Sequence, residues 1–353
     1  MATLKDVAKL ANVDVSTVSR ALNNTSYVHP DTKKKIFKAV EQLSYRPNLL
    51  AKGLKQGKRR TLGVVVPSVN LSLFGEIVQG IEMQAGNRGY SLMICMTKDD
   101  PDIEAECLNR LRNGLVDGIL IASTGQNTRL IRDIKANGVA VVQLVRNQDR
   151  KFSSVEADCF SCGYEAAKYL YKKGCTKIGF INGSTEFTPY AERYRGYHKA
   201  MKELGLKEYQ VESGLPRGNY FKDGYKGVER LKEAFDDVDG IMVAADMQGI
   251  GVLRALKESG KKVPEEVKVI SLTGHAIGGM LETAMTSIKV ISLTGHVIGG
   301  MLETAMTSME LPGREMGQRA ADMILEDIEA ADDEKPSVQH MVFGTKLIER
   351  ETT

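Results

Sequence analysis

The fold of the first part of the chain is decided by the sequence LKDVAKLANVDVSTVSRALN at residues 4–23. Thr3 and Asp6 have the spacing of a capping box, in which two side chains satisfy backbone N–H groups at the start of a helix. Apolar residues then recur at helical spacing, and Asp14 can cap a second short helix after a brief turn. Two short helices joined this tightly, the second with a polar face, predict a helix-turn-helix.

A third helix and a linker complete this head. Pro30 suits the first turn of a helix, where its missing N–H needs no partner. We expect the helix to bury Ile36, Phe37, Val40 and Leu43 and to close an all-α domain over residues 1–46. Residues 47–60 hold a short apolar segment with Gly53 and then the basic run KQGKRR. So short a helix is not stable alone, and we predict a hinge that folds only when something stabilises it.

Charge separates this head from the rest of the chain. The first 60 residues carry thirteen Lys and Arg against four Asp and Glu, although the whole chain is only +3. The remaining residues therefore have an excess of acidic side chains. A basic head on an acidic body indicates a module that binds a polyanion, joined to a domain with another task.

The body, residues 61–353, alternates short apolar runs with longer helical patterns. Such alternation predicts an α/β fold of parallel strands with right-handed crossovers, and its length favours two lobes with a cleft between them. The predicted strands are Leu62–Val66, Ser91–Met96, Gly118–Ala122, Val139–Val145, Lys177–Ile181, Gly240–Ala244 and Lys268–Leu272, and helices are predicted at Gly163–Lys173, Ala191–Leu204 and Ile250–Glu258.

A tandem duplication interrupts the body. Residues 288–308 repeat residues 267–287 with only two differences. Because solenoid folds need about three or more copies, we interpret this as a duplication rather than a repeat architecture. Only one copy can occupy a given strand position, and two near-identical strand sequences invite an exchange of register.

Cysteines and apolar runs limit the classes of protein. Five scattered cysteines do not form a disulfide framework, and no apolar run approaches the length of a membrane span. The N-terminal residues lack the apolar core of a signal peptide, so we expect a cytoplasmic protein with no membrane partner. Cys159 and Cys162 have the spacing of a redox or half-zinc motif but lack a second pair of ligands. We favour two buried small residues at a helix start, and we expect no metal.

Several motifs together resemble the lactose/galactose (LacI/GalR) repressor family, over nearly the whole chain apart from the duplicated segment. The resemblance implies a helix-turn-helix head on a two-lobed body like the periplasmic sugar receptors. It rests in the head on Leu4–Val13, Thr17–Arg20, Leu22-Asn23, Val28, Thr32, Leu43, Tyr45, Pro47-Asn48, Ala51 and Leu54, and in the body on Leu62–Pro67, Asp117–Ile119, Asp158, Gly163, Arg193, Gly196, Ala245-Asp246 and Lys346–Arg350.

The same resemblance implies a set of DNA contacts. Side chains of the second helix would face base edges in the major groove, and Arg20 could bond both acceptors of a guanine. The base contacts implied are Val15, Ser16 and Arg20; the backbone contacts are Thr3, Ser19, Asn23 and Thr32; and Ala51 and Leu54 would enter the minor groove from the hinge.

An effector site in the cleft is implied as well. Asp158, Arg193 and Asp246 match the family's ligand contacts, and carboxylates around a guanidinium suit hydroxyl groups. Since the chain has no Trp, ring stacking would use Phe74, Tyr220 or Phe221. His275, or His296 in the second copy, follows a strand on the cleft side.

The function implied is a repressor of a carbohydrate-utilisation operon, bound as a homodimer to an inverted-repeat operator in double-stranded DNA. A sugar or sugar phosphate would control it through the cleft, with no cofactor. An alternative within the family is a global catabolite regulator that responds to a phosphorylated carrier protein. An enzyme would need a catalytic motif, and none of the common ones is present; a secreted transport receptor would need an export signal.

Overall fold

A computed structural model gives the structure of this chain. It describes residues 2–23, 26–45, 59–212, 219–233, 237–273, 306–331 and 334–353. The chain divides into two compact units, residues 1–59 and residues 60–353. The hinge contacts Ala51 and Leu54 and the effector contact His275, with its twin His296, lie outside the described residues.

The first unit contains three helices, α1 (Leu4–Ala11), α2 (Val15–Asn23) and α3 (Pro30–Gln42). The capping box at Thr3 and Asp6 is confirmed, as is the cap of α2, where Asp14 Oδ1 accepts a hydrogen bond of 2.7 Å from the Ser16 N–H. The three helices share one small core of Val7, Ala8, Ala11, Val18, Ala21, Ile36 and Ala39.

The expected burial of Phe37 was wrong. Its side chain is 47% exposed, whereas Ile36 is fully buried and Val40 and Leu43 are half-buried. Ile36, Val40 and Leu43 follow the three- and four-residue spacing of one helix face, and Phe37 is rotated about 100° from Ile36. Ala39, and not Phe37, lies beside Ile36 on the buried face of α3.

The second unit contains two six-stranded sheets, which define lobe 1 and lobe 2. Lobe 1 has the order β11-β5-β4-β3-β1-β2, with β1 (Thr61–Val66), β2 (Ser91–Met96), β3 (Gly118–Ile121), β4 (Ala140–Leu144), β5 (Ser153–Ala157) and β11 (His340–Phe343). Lobe 2 has the order β12-β10-β9-β8-β6-β7, with β6 (Ile178–Asn182), β7 (Tyr209–Glu212), β8 (Gly240–Val243), β9 (Lys268–Ser271), β10 (Thr307–Glu310) and β12 (Lys346–Ile348). Every described pairing is parallel except that of β10 with β12.

Helices cover both faces of each sheet, as the alternating pattern predicts. Lobe 1 carries α4 (Ser72–Asn87), α5 (Pro101–Arg112), α6 (Thr128–Ala136) and α11 (Gly313–Glu329). Lobe 2 carries α7 (Cys159–Lys172), α8 (Thr188–Leu204), α9 (Tyr220–Lys232) and α10 (Asp246–Glu258). The chain therefore crosses between the lobes three times, after β5, after β10 and after β11.

Each copy of the duplication contributes residues to the described strands of the lobe 2 sheet. The first copy supplies β9, and the last two residues of the second copy begin β10. Thr307 pairs with Ile270, and Ser308 pairs with Ser271. The second copy's own strand sequence, residues 289–292, lies outside the described residues.

Two glycines set the distance between α7 and α8. A Cβ on Gly163 would overlap the backbone oxygen of Arg193, and a Cβ on Gly196 would overlap that of Phe160. The two helix backbones therefore touch directly. The same reciprocal arrangement joins α4 to α11 and α9 to α10.

We expect Gly196→Ala to lower the free energy of unfolding by about 1–3 kcal/mol, because the added methyl must push α8 away from α7. Urea unfolding monitored by circular dichroism measures this difference. The matched control is Gly86→Ala, since Gly86 lies near the end of α4 with no atom near its missing Cβ; there, alanine should stabilise by up to about 1 kcal/mol. Equal effects of the two substitutions would contradict the close approach.

Candidate functional site

The second helix of the head exposes one side and buries the other. Val18 and Ala21 lie in the small core, while Val15, Ser16 and Arg20 are exposed. The exposed side thus offers an apolar group, a hydroxyl and a guanidinium from a helix that is fixed by its buried side. This is the arrangement that an element inserted in a DNA groove needs.

The four residues matched to phosphate contacts have different surroundings. The Thr3 hydroxyl donates to Asp6 Oδ2 at 2.7 Å within the capping box, and Asn23 Nδ2 donates to the Ser19 carbonyl at 2.8 Å. Ser19 and Thr32 are half-buried. Thr3 and Asn23 therefore already stabilise the ends of α1 and α2.

Tyr27 is an exposed residue that the sequence argument missed. It lies between α2 and α3, and its side chain is 84% exposed. Tyrosine hydroxyls are among the groups that contact DNA backbones. The signal available in the sequence was a single aromatic residue in the connection NTSYVH at residues 24–29.

Arg193 is the central side chain of the candidate effector site. It lies on α8 with 2% of its surface exposed, and its Nη1 and Nη2 donate to the carbonyls of Ala244 and Leu272 at 3.0 and 3.2 Å. These carbonyls follow β8 and β9, so the guanidinium lies at the carboxyl ends of two parallel strands. That edge is where open α/β sheets bind ligands.

The surroundings of Arg193 within the described chain are neutral. The Tyr190 ring lies 5.8 Å from the guanidinium carbon, and the thiols of Cys159 and Cys162 lie nearby. Burial raises the pKa of Cys162 to about 12, so this thiol stays protonated. The Nε of Arg193 is buried and has no hydrogen-bond partner among the residues that the structure describes.

Asp246 begins α10 at the same edge of the sheet. Its Oδ1 accepts a hydrogen bond of 2.5 Å from Ser271, and its backbone N–H donates to Thr273 Oγ1. Its Oδ2 accepts from Ser72 of lobe 1 at 3.4 Å. Asp246 therefore contacts both lobes, and it shares the carboxyl ends of β8 and β9 with Arg193.

The other matched residues are placed differently. Asp158 lies in the first crossover, where it caps α7 by accepting from the Ser161 N–H at 2.9 Å. Phe74 is buried in the core of lobe 1. Tyr220 begins α9, and the neighbouring Tyr190 hydroxyl and burial raise its pKa. The structure thus brings Arg193 and Asp246 to one sheet edge, while Phe74 contributes to packing.

An ion pair at the carboxyl ends of the lobe 1 strands was also missed. Arg146 Nη1 and Nη2 donate to the two carboxylate oxygens of Asp99 at 2.6 and 3.2 Å, and both residues are buried. The Arg146 guanidinium carbon lies 4.0 Å from the centre of the Phe187 ring of lobe 2. No sequence motif joins these residues, because only the neighbouring ends of separate strands bring them together.

Three further observations concern the cysteines, possible metal sites and possible membrane spans. Cys159 and Cys162 are buried thiols at the start of α7, which confirms their interpretation as small buried residues. Among the described residues, no cluster of three His, Cys, Asp or Glu side chains could hold a metal, and no helix has the length and apolar character to cross a membrane.

We expect Arg193→Ala to lower the free energy of unfolding by about 1–3 kcal/mol, because two buried carbonyls lose their donors. The matched control is Arg195→Ala on the same helix, whose exposed guanidinium pairs with Glu192 three residues before and lies over the Phe160 ring. That change should be within about 0.5 kcal/mol. Thermal unfolding of both variants makes the measurement, and equal losses would contradict the structural role of Arg193.

Comparison with known proteins finds two family models that match this chain, one after the other. The family described as "Bacterial regulatory proteins, lacI family" matches residues 3–48, and "Periplasmic binding proteins and sugar binding domain of LacI family" matches residues 59–346. The HTH-type transcriptional regulator RegA of Clostridium saccharobutylicum is 29% identical over 100% of both chains. Catabolite control protein A of Priestia megaterium is 30% identical over 81% of this chain and 86% of its own.

Solved structures show the same fold. The lac repressor dimer bound to operator and an anti-inducer matches 100% of this chain and 99% of its own with a TM-score of 0.80 and 20% identity. A complex of the transcriptional regulator CelR with cellobiose matches 100% of both chains with a TM-score of 0.67 and 24% identity. With both family descriptions matched in order along its length, the chain belongs to the LacI family of bacterial regulatory proteins, and it is a DNA-binding transcription regulator.

Proposed function

We propose that this chain represses a carbohydrate-utilisation operon and that a sugar or sugar phosphate in the cleft controls its binding to DNA. The observation that carries the proposal is the exposed side of α2 in a basic head, in the same chain as a sheet edge that brings the Arg193 guanidinium and the Asp246 carboxylate together. Relatives support the class of operon: the ribose operon repressor of Halalkalibacterium halodurans is 25% identical over 100% of this chain and 97% of its own.

The head makes the base contacts in this proposal. Arg20 bonds a guanine, Ser16 bonds a neighbouring base, and Val15 offers only apolar contact, such as to a thymine methyl. Phosphate contacts come from Thr3, Ser19, Asn23 and Thr32, and the hinge residues Ala51 and Leu54 open the minor groove. Since one head offers few base contacts, a homodimer on an inverted repeat supplies the specificity.

We expect Arg20→Ala to weaken binding to the preferred duplex by about 1–3 kcal/mol and to relax selection at one base position in each half-site. The preferred duplex is first selected from a random pool by the parent protein, and affinities follow from fluorescence anisotropy at one fixed salt concentration. The control is Lys38→Ala on the exposed side of α3, which should weaken all duplexes equally or not at all. A variant at Arg20 that selects the parent's sequence would contradict the base contact.

The cleft suits a ligand rich in hydroxyl groups. The Asp246 carboxylate accepts from hydroxyls and Arg193 donates to them, and such charge-assisted bonds are strong and directional. Tyr190 and Tyr220 supply aromatic faces nearby in place of the missing Trp. In this proposal the binding of the effector moves the lobes relative to each other. This movement alters the conformation of the hinge segments and therefore the affinity for DNA.

A second candidate is a global catabolite regulator that responds to a phosphorylated carrier protein. Its support is the 30% identity with catabolite control protein A. The two candidates separate when the protein–operator complex is titrated with a panel of sugars and sugar phosphates and then with phosphorylated and unphosphorylated carrier. A response to sugars alone supports the first candidate, and a response to the phosphorylated carrier alone supports the second.

We expect Asp246→Asn to raise the sugar concentration needed for half of the response by about tenfold, because a neutral amide replaces a charged acceptor of nearly the same shape. The sugar is the most active one of the panel, and the readout is its effect on operator binding. Asp133→Asn, an exposed carboxylate on α6, is the matched control. An unchanged response in the Asp246 variant would place the effector elsewhere.

A further inference from the structure

The Asp99–Arg146 ion pair is held by strained backbone on both sides. Lys98 and Asp99, which follow β2, have φ values of 55° and 58°, and Val145, which follows β4, has a φ of 64°. None of the three is glycine, and Val145 is β-branched, for which positive φ is rare. The connections after β2 and after β4 therefore both have an unfavourable backbone conformation next to the ion pair, at Asp99 itself and at Val145 before Arg146.

The turn at Val145 directs Arg146 out of the strand. The Arg146 N–H donates to the Leu144 carbonyl at 2.5 Å, which closes a three-residue turn around Val145. The Val145 N–H still donates to the Val155 carbonyl at 2.7 Å, so the pairing with β5 continues to this point. The strained turn therefore changes the direction of the chain one residue before Arg146, whose guanidinium pairs with Asp99. Strain that is concentrated in this way indicates a functional constraint.

Lobe 2 covers this ion pair with aromatic rings. Phe187 lies over the Arg146 guanidinium at 4.0 Å, and its ring also packs edge-on against Tyr190. Tyr220 is close enough to Asp99 for the carboxylate to contribute to the raised pKa of its hydroxyl. All three rings belong to lobe 2, whereas both charges belong to lobe 1. Both partners of the ion pair therefore belong to lobe 1, while the ring that covers Arg146 belongs to lobe 2.

We propose that Arg146 and Phe187 form a latch between the lobes, and that this stack sets the balance between closed and open forms of the cleft before any effector binds. A cation over an aromatic face is most stable when water is excluded. Opening of the lobes removes the ring and hydrates the guanidinium, but it leaves the bond to Asp99 intact. The latch therefore favours closure without supplying a ligand contact. Only its consequence for DNA binding rests on the proposed function.

The test measures the distance between the lobes in the full chain without sugar or DNA. Nitroxide labels are attached through Glu106→Cys on α5 of lobe 1 and Lys202→Cys on α8 of lobe 2, both exposed positions. The five native cysteines are buried, so the label reaches the introduced thiols. Pulsed electron resonance then gives the distance distribution. Hydrogen exchange of residues 184–191 reports rarer opening, since its rate scales with the open fraction.

We expect Phe187→Leu to raise the ratio of open to closed molecules about two- to thirty-fold, the range that a desolvated cation–aromatic contact gives. Arg146→Lys, which keeps the charge beside Asp99 but loses the planar stack, should act in the same direction. The double variant should open no further than the stronger single variant, because both remove one contact. Phe160→Leu is the matched control, since Phe160 lies beneath Arg195 and Lys199 within lobe 2 alone.

Two results would overturn the latch. One is a Phe187 variant whose distances and exchange rates equal those of the Phe160 variant. The other is a double variant whose effect is the product of the two single effects. Because no sugar or DNA is present, a failure here leaves the proposed repressor function untouched, and a failed sugar response leaves the latch untouched.

Discussion

Parallel strands that end at one edge of a sheet are the constraint on which the cleft depends. Each lobe is built from strand–helix units wound in the same direction, so the carboxyl ends of all its parallel strands lie together. Residues far apart in sequence therefore become neighbours: Arg193 bonds carbonyls that follow β8 and β9, and Arg146 after β4 pairs with Asp99 after β2. The chemistry of the site follows from this topology and not from a local motif.

Local signals were sufficient for the helix caps of the head and for the central strands of both sheets. Capping at Thr3, Asp6 and Asp14 depends on residues two or three positions apart, and both caps form as their spacing predicts. Seven of the twelve described strands were visible as short apolar runs, since strands buried on both faces have few polar positions. The strands β5, β7, β10, β11 and β12 are short and carry polar residues or lie at a sheet edge, and they were not predicted. The predicted burial of Phe37 was wrong because helical spacing alone does not decide which edge of an apolar stripe the other helices cover.

The sequence predicted some residues of the candidate site but not their surroundings. Arg193 and Asp246 could be matched through the family resemblance, but their surroundings could not, and these decide what a substitution at each position does. Arg193 donates to the carbonyls at the ends of two strands, so its removal affects folding as well as any contact with an effector. Asp99, Arg146 and Phe187 carry no signal in a single sequence, because Asp99 and Arg146 meet only when the strands of lobe 1 are assembled, and Phe187 contacts Arg146 from lobe 2.

The crossovers limit how the lobes can move. The Asp158 N–H donates to the Phe343 carbonyl at 2.8 Å, which ties the first crossover to the third, and β10 leads directly into the second. Three chain segments joined at one side permit rotation of one lobe against the other but resist separation or sliding. Each crossover also continues into a packed helix or a paired strand, so a change of the angle between the lobes moves these elements as rigid bodies. Contacts between the lobes, such as Arg146 with Phe187 and Ser72 with Asp246, then form and break together as the lobes rotate. A ligand that strengthens one of these contacts therefore favours the others.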